Sequence, residues 1–328
     1  MKRTIRINFT DWWDGFNKTD NYIYRLLEPY YEIELCEDPD YLFYSCFGTE
    51  FVKYDCIRIF ATGENVRPDF NLCDYAMGFD YLQFEDRYIR FPYLYYYYNR
   101  DTYFAQLFER NLSWDDFERK KKFCNFVYSN AKVDSPRNKI FEALSAYKKV
   151  DSGGRHLNNI GGPVEDKVLF QQQYRFSIAV ENSSTRGYNT EKIVQAFAAH
   201  TVPIYWGDPI IGRIYNTAAF INGNECESIE ELVLKVKMLE EHPEQIYDML
   251  CQPVFVNDWK CGIPDVEEAA IFLKKIFEQD LKCARRRSNY QWTQRIEDRY
   301  KNEWNRDGHK SKITLKTWIS RVIHGGRI

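Results

Sequence analysis

The chain has 328 residues, 44% of them hydrophobic and 28% charged, which is room for one large or two ordinary soluble domains. A formal net charge of -3 excludes the dense basic surface that phosphate-backbone contacts need, so no nucleic-acid partner is expected. Nine scattered cysteines without a CxxC pair exclude a zinc knuckle and a disulfide framework and fit reduced thiols in a cytoplasm.

In chain order, the opening MKRTIRINFT has no long apolar core, and no window reaches the roughly 20 apolar residues of a membrane span. Thr4 to Asn8 reads as a first strand, followed by the aromatic turn Asp11-Trp12-Trp13-Asp14-Gly15 and a helix near Tyr22 to Leu27. Short strands are expected at Ile33 to Cys36, Tyr41 to Ser45 and Cys56 to Ala61, the last running into Thr62-Gly63-Glu64-Asn65. The triplet Asp38-Pro39-Asp40 has proline at its centre and reads as a turn rather than a metal ligand, and the five histidines lack metal spacing. The cluster Tyr93, Tyr95, Tyr96, Tyr97 and Tyr98 fits either a half-buried amphipathic segment or a sugar-stacking platform.

Phe123 to Tyr128 reads as a strand and Pro136 to Tyr147 as a helix. Val150-Asp151-Ser152-Gly153-Gly154-Arg155 reads as a hinge, which places a domain boundary at 150/151 and a ligand-binding cleft between two α/β halves. The most informative stretch runs from Tyr174 to Gly207. Phe176 to Val180 is an apolar strand, Ile193 to Ala199 is apolar at helical spacing, and Val202 to Tyr205 is a second strand ending at Gly-Asp-Pro. A βαβ unit places Glu181, Asn182, Tyr188, Asn189, Thr190, Glu191 and Lys192 at the carboxyl edge of a parallel sheet, where open α/β folds bind ligands.

Thr190 is a suitable N-cap, so Glu191 and Lys192 occupy the first helical positions, where free amides and the helix dipole favour an anion. Two readings fit: an acidic first turn that merely complements the dipole, or a nucleotide site in which Lys192 meets a diphosphate and Glu191 a ribose diol. Glu181 directly follows the apolar strand and needs a partner or a cleft. Tyr188 offers a ring for a base or a hydroxyl for a phosphate, and Arg155 a guanidinium for the same diphosphate. No GxGxxG or Walker loop follows a strand. Further on, Ser228 to Glu240 and Pro243 to Leu250 read as scaffold helices, and Val266 to Ile276 and Leu281 onward as the helices that close the second domain.

Three ordered segments resemble the bacterial α-1,3/1,4-fucosyltransferases of glycosyltransferase family 10: ATGENVRPDFNLCDYAMGFD from Ala61, the run from Phe126 to Arg155, and FSIAVENSSTRGYNTEKIVQAFAAHTVPIYWG from Phe176. The resemblance implies an α/β GT-B fold, two Rossmann-like domains facing across a cleft: 1–150 for the acceptor, 151–280 for GDP-fucose, then 281–328 as a helical, basic amphipathic tail. It implies inverting transfer of L-fucose to a hydroxyl, the 3-OH foremost, of N-acetylglucosamine in a lactosamine-type oligosaccharide acceptor. By the same likeness Glu64 is the general base, Glu191 holds the ribose, Lys192 and Arg155 hold the diphosphate, and Glu181, Asn182 and Tyr188 complete the donor site. Trp12 and Trp13 are the acceptor-side candidates. GDP-fucose is the donor substrate, no cofactor or metal is required, and non-essential stimulation by Mg2+ or Mn2+ is compatible with the likeness. Residues 310–328 pair apolar with basic positions and suit either an anionic inner-membrane surface, with a cytoplasmic enzyme peripheral to it, or packing on the protein body. The alternatives are a GT-B transferase for another nucleotide sugar and a non-catalytic nucleotide- or sugar-binding protein at a membrane surface.

Overall fold

The structure, a computed structural model, describes residues 2–91, 105–108, 110–131, 135–258, 260, 265–288 and 290–307. The tyrosine cluster at 93–98 and the basic tail at 310–328 lie outside the described residues.

The chain forms two units. The first comprises the described residues of Met1–Gly78, Leu82–Arg90 and Val266–Ile328. Its strands are β1 (Arg3–Thr10), β2 (Tyr31–Leu35), β3 (Tyr41–Tyr44), β4 (Ile57–Ala61), β5 (Tyr75–Gly78) and β6 (Tyr88–Arg90), paired in parallel in the order β2-β1-β3-β4-β5-β6. β3 to β6 are buried along their whole length, as strands covered on both faces are, and apart from Arg58 in β4 and Arg90 in β6 they lack the polar alternation of a half-exposed strand.

The second unit comprises Phe79–Tyr81 and the described residues of Phe91–Asp265. It holds β7 (Lys122–Phe126), β8 (Val150–Ser152), β9 (Tyr174–Val180), β10 (Val202–Trp206) and β11 (Ile221–Asn222), in the order β11-β10-β9-β7-β8. All pairs in this sheet are parallel too. Phe126, Phe176, Ile178, Val202 and Ile204 pack with Leu144 and Val236 of flanking helices to make its core. Burying each such side chain stabilises by roughly 1.5–3 kcal/mol.

The division corrects the expected boundaries. Val150–Ser152 is not a hinge but the edge strand β8, paired with β7 through Cys124↔Val150, so the break at 150/151 falls inside one sheet. The helices expected to close the second domain belong to the first. Phe277, ending the helix Val266–Phe277, lays its ring against Tyr41 at 4.5 Å and Tyr31 at 5.5 Å. Arg287 is buried in an ion pair with the fully buried Asp74, which also accepts from the backbone N–H groups of Arg58, Arg286 and Arg287. The helix Gln291–Asp307 follows, its Ile296, Tyr300 and Trp304 packed over Phe51, Val52 and Leu72, and Glu297 meets the buried Arg58 at 3.0 Å. Residues 281–307 are therefore built into the first unit rather than forming a separate tail.

Candidate active site

The strand, helix, strand unit predicted at 174–207 is present as β9, the helix Glu191–Ala198 and β10. β9 and β10 end in register at Val180↔Trp206, and the backbone N–H of Glu181 donates to the Trp206 carbonyl at 2.8 Å. The residues that follow both strands thus converge at one edge.

Glu181 is fully buried there. One carboxylate oxygen accepts from the Thr190 N–H at 2.7 Å; the other accepts from the Thr190 hydroxyl at 2.7 Å and from Lys192 Nζ at 3.0 Å. Lys192 Nζ also donates to Thr190 Oγ1 at 2.8 Å and lies 3.3 Å from Glu191 Oε1. Gly207 is required beside them, because a Cβ at that position would stand 2.5 Å from Glu181 Cγ. Thr190 is the N-cap residue, as expected, but its hydroxyl makes no cap; turned toward Glu181, it leaves the first turn of the helix without a side-chain acceptor from that position.

The charges in this cluster tune one another. Burial pushes the Glu181 carboxyl up, against the pull of the Lys192 ammonium and the two Thr190 donors. Burial also disfavours ionised Glu191, but Lys192 and Lys167 outweigh it and hold that carboxyl at about 2. Lys192 is buried, which opposes its charge, yet Glu181 and Glu191 keep its ammonium well above the ordinary range. The acid adjoining β10, Asp208, is fully buried and held by neutral donors, the Asn189 side-chain amide at 3.0 Å and the Ile210 N–H at 3.0 Å.

Asn182 is tied to this cluster through a residue the sequence reading passed over. Its Oδ1 accepts from Arg137 Nη1 at 3.1 Å. Arg137 opens the helix Arg137–Tyr147, is 1% exposed, and lies 4.2 Å over the ring of Tyr128. Burial pulls its guanidinium below the ordinary range, and its Nε is buried with no hydrogen-bond partner among the described residues. A buried, unsatisfied N–H on a cation is the kind of group that a ligand or water completes. Lys167, at 6.0 Å from the same Tyr128 ring, is the second residue passed over; burial pushes its ammonium down to about 8 while Glu191 opposes the fall.

Arg155 does not join them. It is exposed on the loop after β8, where Gly154 passes so close to Tyr128 that a Cβ would stand 1.9 Å from the Tyr128 carbonyl oxygen. The guanidinium that the fold brings to Asn182 is that of Arg137 rather than Arg155. Tyr188 is buried, 3% exposed, and meets the Phe79 ring edge-to-face at 5.2 Å.

Glu64 belongs to the first unit, three residues beyond the end of β4. It is half-buried; its N–H donates to Thr62 Oγ1 at 3.1 Å and its carbonyl accepts from Val66 N–H at 2.7 Å, a tight turn at the carboxyl edge of the sheet. Cys46 sits beside it, Sγ 3.3 Å from Thr62 Oγ1, its thiol pushed up to about 11 by burial with the Glu64 charge adding to the effect. Trp12 and Trp13 follow β1 on the same edge. Asp38 and Asp40, the triplet weighed against metal binding, both pair with Arg6, at 3.5 and 3.7 Å.

Residues 7–98 match the alpha-(1,3)-fucosyltransferase FucT N-terminal domain, and residues 117–250 match the glycosyltransferase family 10 (fucosyltransferase) C-terminal domain. The chain is 30% identical over 321 residues to the alpha-(1,3)-fucosyltransferase FucT of Helicobacter pylori, covering 84% of this chain and 66% of that protein. It is 25% identical over 222 residues to the putative fucosyltransferase R654 of Acanthamoeba polyphaga mimivirus, covering 62% of this chain and 34% of the other. The chain therefore spans less than two thirds of the length of either relative. A crystal structure of an alpha1,3-fucosyltransferase with GDP-fucose superposes with a TM-score of 0.72 at 28% identity, over 85% of this chain and 92% of that one. The two parallel α/β units are those of the GT-B architecture, and the chain belongs to glycosyltransferase family 10, the fucosyltransferases.

Proposed function

We propose that the protein transfers L-fucose from GDP-fucose, with inversion, to a hydroxyl of N-acetylglucosamine in a lactosamine-type glycan, the 3-OH foremost. The observation that carries this reading is the cluster at the start of the helix Glu191–Ala198, where Lys192, Arg137 and Lys167 gather around a first turn lacking a cap from the Thr190 side chain. A diphosphate suits such a place, since cations and oriented amides stabilise negative charge best where water is excluded. Glu191, ionised well below neutral pH, is an acceptor for the ribose diol.

In the displacement, the Glu64 carboxylate takes the proton of the acceptor hydroxyl as its oxygen bonds to the anomeric carbon of fucose. The anomeric carbon–oxygen bond breaks, and GDP departs with the electron pair. Lys192, Arg137 and Lys167 take up the charge that develops on the diphosphate, and Glu181 holds Lys192 in place. This scheme assigns the neutralisation to side chains and amides, so turnover persists in a chelator. The basic residues 310–328 suit an anionic membrane surface on the cytoplasmic side, which sedimentation with phosphatidylserine vesicles tests.

The deciding experiment incubates purified protein with GDP-fucose and N-acetyllactosamine or its β-1,3 isomer. GDP release with a fucosylated product of defined linkage is the expected result; no transfer to either acceptor defeats the proposal.

A further inference from the structure

The two tryptophans after β1 have opposite surroundings. Trp12 is half-buried, stacked on Phe16 at 4.3 Å and donating from Nε1 to the Phe43 carbonyl at 3.3 Å, so it is part of the fabric of the unit. Trp13 is 44% exposed, its indole held edge-on by Phe16 at 5.2 Å and by Phe47 at 6.2 Å. The corner carrying it is fixed: Asp11 has φ of 59°, a conformation that disfavours residues with a Cβ, and its carboxylate accepts from the N–H groups of Glu50 at 2.7 Å and Phe51 at 2.8 Å. The Asp11 carbonyl takes the Phe47 N–H at 2.9 Å, which locks the loop after β3 to the loop after β1. A large apolar ring so exposed and so firmly held costs solvation and loses little entropy when something covers it.

Its position says what covers it. β1, β3 and β4 are successive neighbours in one parallel sheet, so their following loops share an edge. From Trp13 the contacts run to Phe47, then through the adjacent Cys46 to Thr62 at 3.3 Å, and from Thr62 to the backbone of Glu64 at 3.1 Å. Two strand spacings, about 10 Å, separate the line of β1 from that of β4, a span suited to a disaccharide. The run itself is made of two aromatic rings, a thiol and a hydroxyl, and the Asp11 carboxylate beside it is taken up by the Glu50 and Phe51 N–H groups, which favours a neutral ligand with an apolar face to lay on an aromatic ring.

We propose that Trp13 and Phe47 form a subsite for the sugar bonded to the one that receives fucose, a galactopyranose whose C–H face stacks on the Trp13 indole with the upright Phe47 ring at its edge, while the neighbouring glucosamine presents its hydroxyl to Glu64. The proposal rests on the fucosyl-transfer reading and on Glu64 as its base. The platform selects the disaccharide over the monosaccharide and takes no part in the chemical step.

The test measures transfer from GDP-fucose to N-acetyllactosamine, or its β-1,3 isomer if that is the better substrate, and to the methyl glycoside of N-acetylglucosamine. The wild type prefers the disaccharide. Trp13→Ala and Phe47→Ala raise the disaccharide KM at least tenfold, to near that of the monosaccharide, whose own kcat and KM are unchanged; Trp13→Tyr, which keeps a ring, retains most of the preference. Calorimetry with GDP shows that each variant keeps its donor affinity. Equal losses with both acceptors, or no change with either, overturn the subsite. A wild type that uses neither acceptor overturns the underlying reading as well.

Discussion

The carboxyl edges of the two sheets are built on opposite terms. In the second unit Glu181, Lys192 and Thr190 are buried and bound to one another, with the buried Arg137 bonded to Asn182, so that edge is charged, dry and fixed before any ligand arrives. In the first unit the edge carries the half-buried Glu64 and the open indole of Trp13, with aromatic rings for support. The difference follows from what each would hold. An anionic diphosphate needs cations whose desolvation is already offset by neighbours, whereas a neutral sugar needs an apolar face and one base.

Four measurements break or sharpen that contrast. Glu64→Gln, at the edge with few charges, should lower kcat by about 10²- to 10⁴-fold, the usual worth of a general base, while calorimetric GDP affinity stays intact. If GDP binding falls instead, Glu64 belongs to the donor side and the contrast fails. Glu181→Ala leaves the Lys192 ammonium buried without its main partner and should destabilise the protein by about 3–5 kcal/mol in urea unfolding. A loss comparable to that of an exposed ion pair, below about 1 kcal/mol, would mean that the cluster is solvated.

Arg137→Ala should weaken GDP by about 1.5–3 kcal/mol, the range for a charge-assisted hydrogen bond, and Arg155→Ala by much less. The reverse order would restore the arginine that the sequence first suggested. The smallest effect is on pH. The Lys167 ammonium, pushed down to about 8, carries its proton below that pH and loses it above, and the charged form favours a diphosphate. GDP affinity should therefore decline as pH rises through about 8, and Lys167→Met should flatten that part of the profile.

What the sequence made legible was local. The helix Glu191–Ala198 and its flanking strands stand out because their apolar residues repeat at the helical and strand periods, with the polar residues confined to one end. Val150–Ser152 escaped notice because three residues before Gly-Gly carry too little pattern to separate a strand from a loop, and its pairing with β7 is settled by residues far off in the chain. Arg137 and Lys167 escaped for another reason. In a sequence each reads as an ordinary solvated charge at a helix start, and only the fold shows that both lie over the ring of Tyr128. The return of residues 266–307 to the first unit depends on Phe277, Arg287 and Tyr300 meeting partners more than two hundred residues earlier, which no local period encodes.

That return sets an order of assembly. Apart from Phe79–Tyr81, the second unit is drawn from one uninterrupted stretch ending at Asp265, whereas the first holds strands from the beginning of the chain and helices from beyond Val266. During synthesis the later sheet has all its parts while the earlier one still lacks Phe277 and Arg287, the partners of Tyr41 and Asp74. The unit begun first is completed last, so a ribosome that stops short of residue 266 would release a finished second unit attached to an open, aggregation-prone sheet.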